Sequence, residues 1–364
     1  MMRRIALLSL LALAAAACAP NPALDVEQTP RSRYTGNVGE SPVGVIPEGS
    51  LRDAARNRDV QIAVDYPTRP GPHPLILFSH AFGGSQREYV GLSSFWASQG
   101  YVVVRPAHAD SGRAASGSAA SLQQAWTSQG AAEWRARVQD IVLVLDQLDQ
   151  LEQRYPELQG KIDRTKIGVG GHSYGAFTAM LAGGARTFPG GTTYGDPRIK
   201  AVLAMAPPGP GETRGLTTES WRELRVPTLF MTGTRETGAT ETETAEWRRE
   251  PFNLAAAGDK WLIVLEGGDH SAYTGRMAPP PVDNVTTDDP IMSSGRNPVN
   301  QAPRTNQQRR EPRESMAGLR VRGAFNNVKA LSLAFWDAYL RADAEGRQAL
   351  EAAASRGGIT LERR

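Results

Sequence analysis

The chain has 364 residues, and its 41 lysines and arginines nearly balance its 38 aspartates and glutamates. A net charge of +3 gives no sign of the strongly basic surface that nucleic-acid-binding proteins need, so no nucleic-acid partner is expected. The single cysteine, Cys18, excludes a disulfide framework and a cysteine-based metal site. The length is sufficient for one large domain with its own hydrophobic core.

The first residues have the pattern of an export signal. A short basic start precedes the apolar stretch Ile5 to Ala17, which is too short to span a bilayer. The small residues at its end lead into Cys18, as in a bacterial lipobox, where the thiol is lipidated. We therefore predict an export signal over residues 1–18, a lipid attachment at Cys18 and a tether over 19–30. A periplasmic or envelope protein anchored to the membrane is expected, and ordinary signal cleavage without lipidation is the alternative.

Apolar runs alternate with helical patterns along the rest of the chain. Predicted strands lie at Val60–Val64, Leu75–Phe78, Tyr101–Val104, Ile167–Val169, Ala201–Met205, Thr228–Met231 and Trp261–Leu265. Predicted helices lie at Tyr89–Gln99, Val138–Leu151, Ala176–Ala182 and Phe325–Leu340. The alternation predicts an α/β fold, a mostly parallel central sheet with helices on both faces. One domain is expected over residues 31–345, followed by a C-terminal tail over 346–364.

Two stretches interrupt this alternation. Residues 111–132 are rich in Ala, Ser, Gly and Gln, and they follow a strand at the end where ligands usually bind in such sheets. Residues 275–317 are rich in Pro, Asn and Arg and lack the apolar content to fold alone. Both stretches are candidate lids over a ligand site. For residues 275–317, a surface insertion without a role is the alternative.

The most informative motif is the segment Gly171-His172-Ser173-Tyr174-Gly175. It directly follows a predicted strand and precedes a predicted helix. A serine on a strained strand-to-helix turn brings neighbouring backbone very close, so a Cβ at position 171 or 175 would collide. This context predicts a nucleophile elbow with Ser173 as the nucleophile.

A serine nucleophile needs a general base, which histidine order along the chain helps to identify. The five histidines are His73, His80, His108, His172 and His270. In hydrolases with this elbow, the acid and then the histidine follow the serine in the chain. His172 adjoins the serine on the turn and three others precede it, whereas His270 follows a further acid-bearing loop. We therefore predict that His270 is the base.

The acid that orients the histidine should lie in a loop after a strand between Ser173 and His270. The strand Thr228–Met231 leads into such a loop, and Glu236 is its first carboxylate. Glu236 is predicted to hold the imidazole in one tautomer and to stabilise the imidazolium that forms during attack. The competing carboxylates are Glu241, Glu243, Glu246 and Asp269.

Negative charge that develops on a substrate carbonyl oxygen needs preorganised N–H donors. One donor usually comes from the residue after the nucleophile, here Tyr174. The other comes from the loop after an early strand, and the glycine-containing segment Ser79–Gly84 is that loop. Phe82 is the predicted second donor. A plain glycine turn is the alternative for this segment.

The order of these motifs resembles a known family. The matching segments are Phe78–Gly84, Gly100–Val104, His108–Ser111, Gly171–Gly175, Pro227–Glu236 and Gly268–His270. They are similar to α/β-hydrolases of the bacterial dienelactone-hydrolase-like group, which is related to platelet-activating-factor acetylhydrolases. The resemblance covers about Val60 to Leu340, and it departs from the group at Ala81, where glycine is common, and in the insertion 275–317. Members act on carboxylic esters, short-chain phospholipid acyl esters and polyesters.

The resemblance and the motifs together imply an exported serine hydrolase of carboxylic esters that forms an acyl-enzyme and needs no cofactor. Its expected partners are small-molecule, lipid or polyester substrates, and the membrane if Cys18 is lipidated. A serine peptidase or amidase on the same fold and a non-catalytic envelope-binding lipoprotein are the alternatives. A metal hydrolase built on His108 and Asp110 would have only two nearby ligands, whereas catalytic zinc takes three from the protein.

Overall fold

A nine-stranded sheet forms the centre of the protein in the computed structural model. Its strands are β1 (Val43–Asp53), β2 (Arg58–Pro67), β3 (His73–Ser79), β4 (Val102–Pro106), β5 (Ile162–His172), β8 (Ile199–Met205), β9 (Thr228–Gly233), β10 (Lys260–Leu265) and β11 (Ile359–Arg363), in the spatial order β1-β2-β4-β3-β5-β8-β9-β10-β11. The six strands from β4 to β10 pair in parallel, whereas β1, β2 and β11 pair antiparallel. The prediction of a mostly parallel sheet is confirmed. The short strands β6 (Arg186–Thr187) and β7 (Thr192–Thr193) form a separate ribbon.

The structure describes residues 33–112, 130–188, 190–211, 215–238, 240, 242–275 and 316–364. Residues Arg33–Arg364 form one compact unit. The predicted signal and tether, Cys18, and most of the two candidate lids at 111–132 and 275–317 lie outside the described residues.

Helices cover both faces of the sheet. They are α1 (Val90–Ser98), α2 (Ala131–Asp146), α3 (Leu148–Arg154), α4 (Tyr174–Ala182), α5 (Ala245–Leu254), α6 (Met316–Leu340) and α7 (Ala344–Glu351). Alternate residues of β3 belong to different cores, because successive strand side chains point to opposite faces. Leu75 and Leu77 pack in the core that contains residues of α2, α4 and α5, whereas Ile76 and Phe78 pack in the core that contains residues of α1 and α6. No helix among the described residues is long and apolar enough to cross a membrane.

Two parts of the fold differ from the predicted elements. The helix predicted over Val138–Leu151 is two helices, α2 and α3, that meet at Gln147. The tail predicted over residues 346–364 contains the end of α7 and the strand β11, which pairs with β10 from Trp261–Arg363 to Leu265–Ile359. Pairing with β10 satisfies the backbone groups of a segment whose side chains are half-exposed.

The parallel strands bring their carboxyl ends to one edge of the sheet, where ligands bind in folds of this kind. The segment after β3 begins at His80, the turn after β5 contains Ser173, and the loops after β9 and β10 contain Glu236 and His270. Strands β3, β5, β8, β9 and β10 are consecutive neighbours in the sheet. The candidate site therefore lies along this edge.

Candidate active site

Ser173 stands on a sharp turn between β5 and α4. Its backbone has φ 57° and ψ −115°, a conformation that residues other than glycine rarely adopt. The two flanking glycines make this turn possible. A Cβ on Gly175 would lie 1.9 Å from the Ser79 carbonyl oxygen, and a Cβ on Gly171 would lie 2.2 Å from the Gly175 carbonyl carbon and oxygen. Ser173 remains 9% exposed at the end of the strand.

A histidine and a carboxylate pair beside this turn. His270 Nδ1 lies 2.8 Å from Glu236 Oε2, and the Glu236 side chain is fully buried. A carboxylate accepts hydrogen bonds only, so the proton of this bond is on Nδ1 and Nε2 is left as the acceptor nitrogen. The His270 side chain is 35% exposed, so part of the ring is accessible to solvent.

Arg248, from helix α5, is a third member of this charged group. Its Nε lies 3.2 Å from Glu236 Oε2, and it donates to the Ala206 carbonyl oxygen through Nη1 at 2.7 Å. Burial raises the pKa of Glu236, while the Arg248 charge opposes that rise. Burial lowers the pKa of His270 below the usual histidine range, and Arg248 lowers it further. The ring is therefore neutral near pH 7, the state in which it can accept a proton.

His172 lies beside both the elbow and the predicted base, His270. Its Nδ1 is hydrogen-bonded to the Tyr89 hydroxyl at 2.8 Å, and its ring centroid lies 4.5 Å from that of His270. The residue next to Ser173 therefore packs directly against the His270 ring. Among the described residues, no hydrogen bond joins Ser173 Oγ to His270; bonds between a nucleophile and its base often tighten only when substrate binds.

The loop after β3 passes over the start of helix α4. The backbone at Gly175 is in tight contact with the carbonyl oxygens of Ser79 and His80, from which a Cβ at this position would lie only 1.9 and 2.8 Å away. The Phe82 ring meets the Tyr174 ring edge-on, with centroids 6.0 Å apart. The two residues predicted to supply oxyanion donors are thus neighbours. Tyr174 is also the first residue of α4, where backbone N–H groups point out of the helix.

The competing carboxylates differ in their surroundings. Asp269 Oδ1 accepts hydrogen bonds from the backbone N–H and the hydroxyl of Ser271. Glu246 lies at the surface beside Arg249, at 3.7 Å. Glu243 is buried, and its negative charge, like that of Asp269, favours a higher pKa of His270. Glu241 lies outside the described residues.

A second serine, histidine and aspartate lie in line beneath the loop. Ser79 Oγ is 2.8 Å from His108 Nε2, and His108 Nδ1 is 2.9 Å from Asp140 Oδ2. Ser79 and Asp140 are fully buried, and Asp140 also pairs with Arg56 at 2.7 Å. We refer to these three residues as the buried relay. It joins the ends of β3 and β4 to α2. These contacts indicate a structural role for His108.

Sequence reasoning missed Arg248 as a partner of the candidate acid and missed the buried relay. No local sequence motif predicts either group, because each contact joins residues from separate elements of the chain. His80 is also buried; its Nε2 accepts from the His108 N–H and lies 2.9 Å from the Ser111 hydroxyl. Among the described residues, no group of three or more His, Cys, Asp or Glu is arranged to hold a metal ion.

Comparison with known proteins finds a similarity over part of the chain. The model of the family "Platelet-activating factor acetylhydrolase, isoform II" matches residues 54–157. Platelet-activating factor acetylhydrolase of Cavia porcellus is 26% identical over 162 residues, which cover 37% of this chain and 35% of that protein. The chain thus matches about a third of the length of this curated relative. Over these stretches the chain is similar to the platelet-activating factor acetylhydrolases, and its mostly parallel sheet with helices on both faces is an α/β fold.

Proposed function

We propose that the protein is a serine hydrolase of carboxylic esters, with Ser173 as nucleophile, His270 as general base and Glu236 as the orienting acid. The family relationship supports a hydrolase of the esterase or lipase type. The finer assignment is carried by the strained backbone of Ser173, at φ 57°, beside the paired His270 and Glu236. Such strain costs on the order of 1–3 kcal/mol and is typically retained at functional sites.

In the proposed reaction, Ser173 Oγ attacks the ester carbonyl carbon and its proton passes to His270 Nε2. The carbonyl oxygen becomes an oxyanion, which the backbone N–H groups of Phe82 and Tyr174 stabilise. The tetrahedral intermediate then expels the alcohol, whose oxygen takes the proton from His270. Glu236 holds the ring by Nδ1 and stabilises its transient positive charge.

The acyl-enzyme is released by the same steps with water as the nucleophile. His270 Nε2 takes one proton from water, and the hydroxide adds to the acyl carbon. The second tetrahedral intermediate returns the electron pair to Ser173 Oγ, which regains the proton from His270. One ester and one water therefore give one carboxylic acid and one alcohol, without a cofactor.

The relative's name suggests acetyl esters as the first substrates to test. Nitrophenyl esters of increasing acyl length, followed by short-chain phospholipid and polyester substrates, would define the acyl preference. A parallel anilide series tests the alternative of an amidase or peptidase. We also propose that the protein is exported and anchored through Cys18.

A fluorophosphonate probe tests the nucleophile directly, because it phosphonylates activated serines. Labelling followed by peptide mass spectrometry should identify Ser173. Ser173→Ala should abolish labelling and lower ester turnover by several orders of magnitude while the protein still folds. Ser79→Ala is the matched control, since Ser79 also contacts a histidine but is fully buried, and it should retain labelling at Ser173. Near-normal turnover by Ser173→Ala would refute the proposed mechanism.

A further inference from the structure

Helix α2 carries a buried arginine that points beneath the candidate oxyanion loop. Arg137 is 2% exposed. Its Nη1 donates to the His80 carbonyl oxygen at 3.0 Å, and its Nη2 lies 3.4 Å from the Ala81 carbonyl oxygen. These are the two peptide groups that precede Phe82. The guanidinium therefore orients the backbone just before the proposed donor.

Asp110, from the loop after β4, completes this arrangement. Arg137 donates to both of its oxygens, from Nε to Oδ1 at 3.0 Å and from Nη2 to Oδ2 at 3.2 Å. Oδ2 also accepts the Gly83 N–H at 2.8 Å. Burial alone would raise the pKa of Asp110, but the charge and hydrogen bonds of Arg137 lower it below its usual range. The ionised pair thus holds the loop on both sides of Phe82.

The same guanidinium also contacts the other half of the proposed oxyanion hole. Its central carbon lies 4.3 Å from the centroid of the Tyr174 ring. An arginine over an aromatic face is attracted to the ring electrons, most strongly when water is excluded. Nη1 also lies 3.4 Å from the hydroxyl of Thr178, one turn further along α4. One side chain therefore links the loop of Phe82 to the helix that begins at Tyr174.

We propose that Arg137 and Asp110 are positioning residues that hold the Phe82 and Tyr174 N–H groups in register for the oxyanion. This inference rests on the proposed function. Oxyanion donors act only when they are fixed about 3 Å from the developing charge, and a displacement of about 1 Å can cost on the order of 100-fold in rate. A rigid, doubly hydrogen-bonded arginine meets that requirement better than a lysine, whose ammonium is a point charge.

The test is turnover of Arg137→Met and Asp110→Asn on a nitrophenyl ester, normalised to the number of sites that a fluorophosphonate titrates. We expect kcat to fall by about 10- to 100-fold with little change in KM, because the loss concerns the transition state. A trifluoromethyl ketone forms a charged tetrahedral adduct on the serine, so its affinity should fall in parallel. Arg137→Lys should retain more activity than Arg137→Met.

The matched control is Arg105→Met. Arg105 is also buried against an aspartate, Asp65, at 2.6 Å, but its other hydrogen bond goes to the Glu88 carbonyl oxygen rather than to the loop. The Arg105→Met substitution should lower the melting temperature while leaving kcat per titrated site near the wild-type value.

Wild-type kcat in both folded variants, or an equal loss in Arg105→Met, would overturn the positioning role. If Arg137→Met does not fold, Asp110→Asn decides alone, since it keeps the shape of the side chain. Ser173→Ala separates the two proposals. A Ser173→Ala protein that keeps near-normal kcat would refute the serine mechanism. Wild-type kcat in the Arg137 variants, together with an inactive Ser173→Ala, would refute only the positioning role.

Discussion

Replacing Gly175 by alanine should damage the site through the backbone alone. The new Cβ would lie 1.9 Å from the Ser79 carbonyl oxygen and 2.8 Å from that of His80, whereas Cβ contacts below 3.0 Å are essentially never observed. The loop and the elbow must therefore separate by at least about 1.1 Å, the difference between 1.9 and 3.0 Å. Neither side is a flexible side chain that could rotate away.

That separation would move the Phe82 loop away from Tyr174. We expect a destabilisation of about 1–3 kcal/mol, typical of overpacking, and a loss of about 100-fold in kcat, typical of a 1 Å displacement at a reacting centre. The control is Gly170→Ala in β5, the strand that precedes the turn, where the new Cβ meets side-chain atoms no closer than 3.4 Å. Thermal melting and ester kinetics on both variants make the comparison. A Gly175→Ala protein that melts and turns over like the wild type would refute the reasoning.

Three further outcomes are expected. Glu236→Gln should lower kcat by orders of magnitude with little change in KM, and Asp269→Asn should be milder; the reverse ranking on one soluble ester would show that the acid is misassigned. His270 must be neutral to act as a base, and its pKa is lowered, so the pKa of the acid limb of kcat/KM should lie below the ordinary histidine value of 6.5. Because the Arg248 charge contributes to this lowering, the same pKa should rise in Arg248→Gln. A wild-type acid limb with a pKa above 6.5 would contradict this expectation. In a bacterial host, the full chain should fractionate with membranes and Cys18→Ser should release it or change its processing, whereas a fully soluble wild type would favour ordinary signal cleavage.

The strands that the sequence reveals are those buried on both faces. β3 and β4 lie inside the sheet and appear in the sequence as continuous apolar runs. β1 and β11 lie at its two edges, and their buried and exposed positions follow no regular apolar run. Their placement depends on pairing with distant strands, so a local pattern could not predict them.

The candidate site shows the same division. The glycine motif selected Ser173, its place in a loop after a strand selected Glu236, and chain order selected His270; the topology brings the loops that follow β5, β9 and β10 to one edge. Arg137 and its partner Asp110 are 27 residues apart in sequence, and a buried arginine has no signature that distinguishes it from an exposed one. Its contacts follow from packing, which only the fold reveals.

The buried relay of Ser79, His108 and Asp140 has the same chemical groups as the proposed triad, and its histidine–carboxylate distance of 2.9 Å is close to the 2.8 Å between His270 and Glu236. What it lacks is access, since Ser79 is fully buried and a substrate cannot reach its hydroxyl. Three suitable side chains in line are therefore not enough to make an enzyme. A nucleophile also needs an open approach for its substrate and donors for the charge that its attack creates, and within this one chain the two serines separate these requirements.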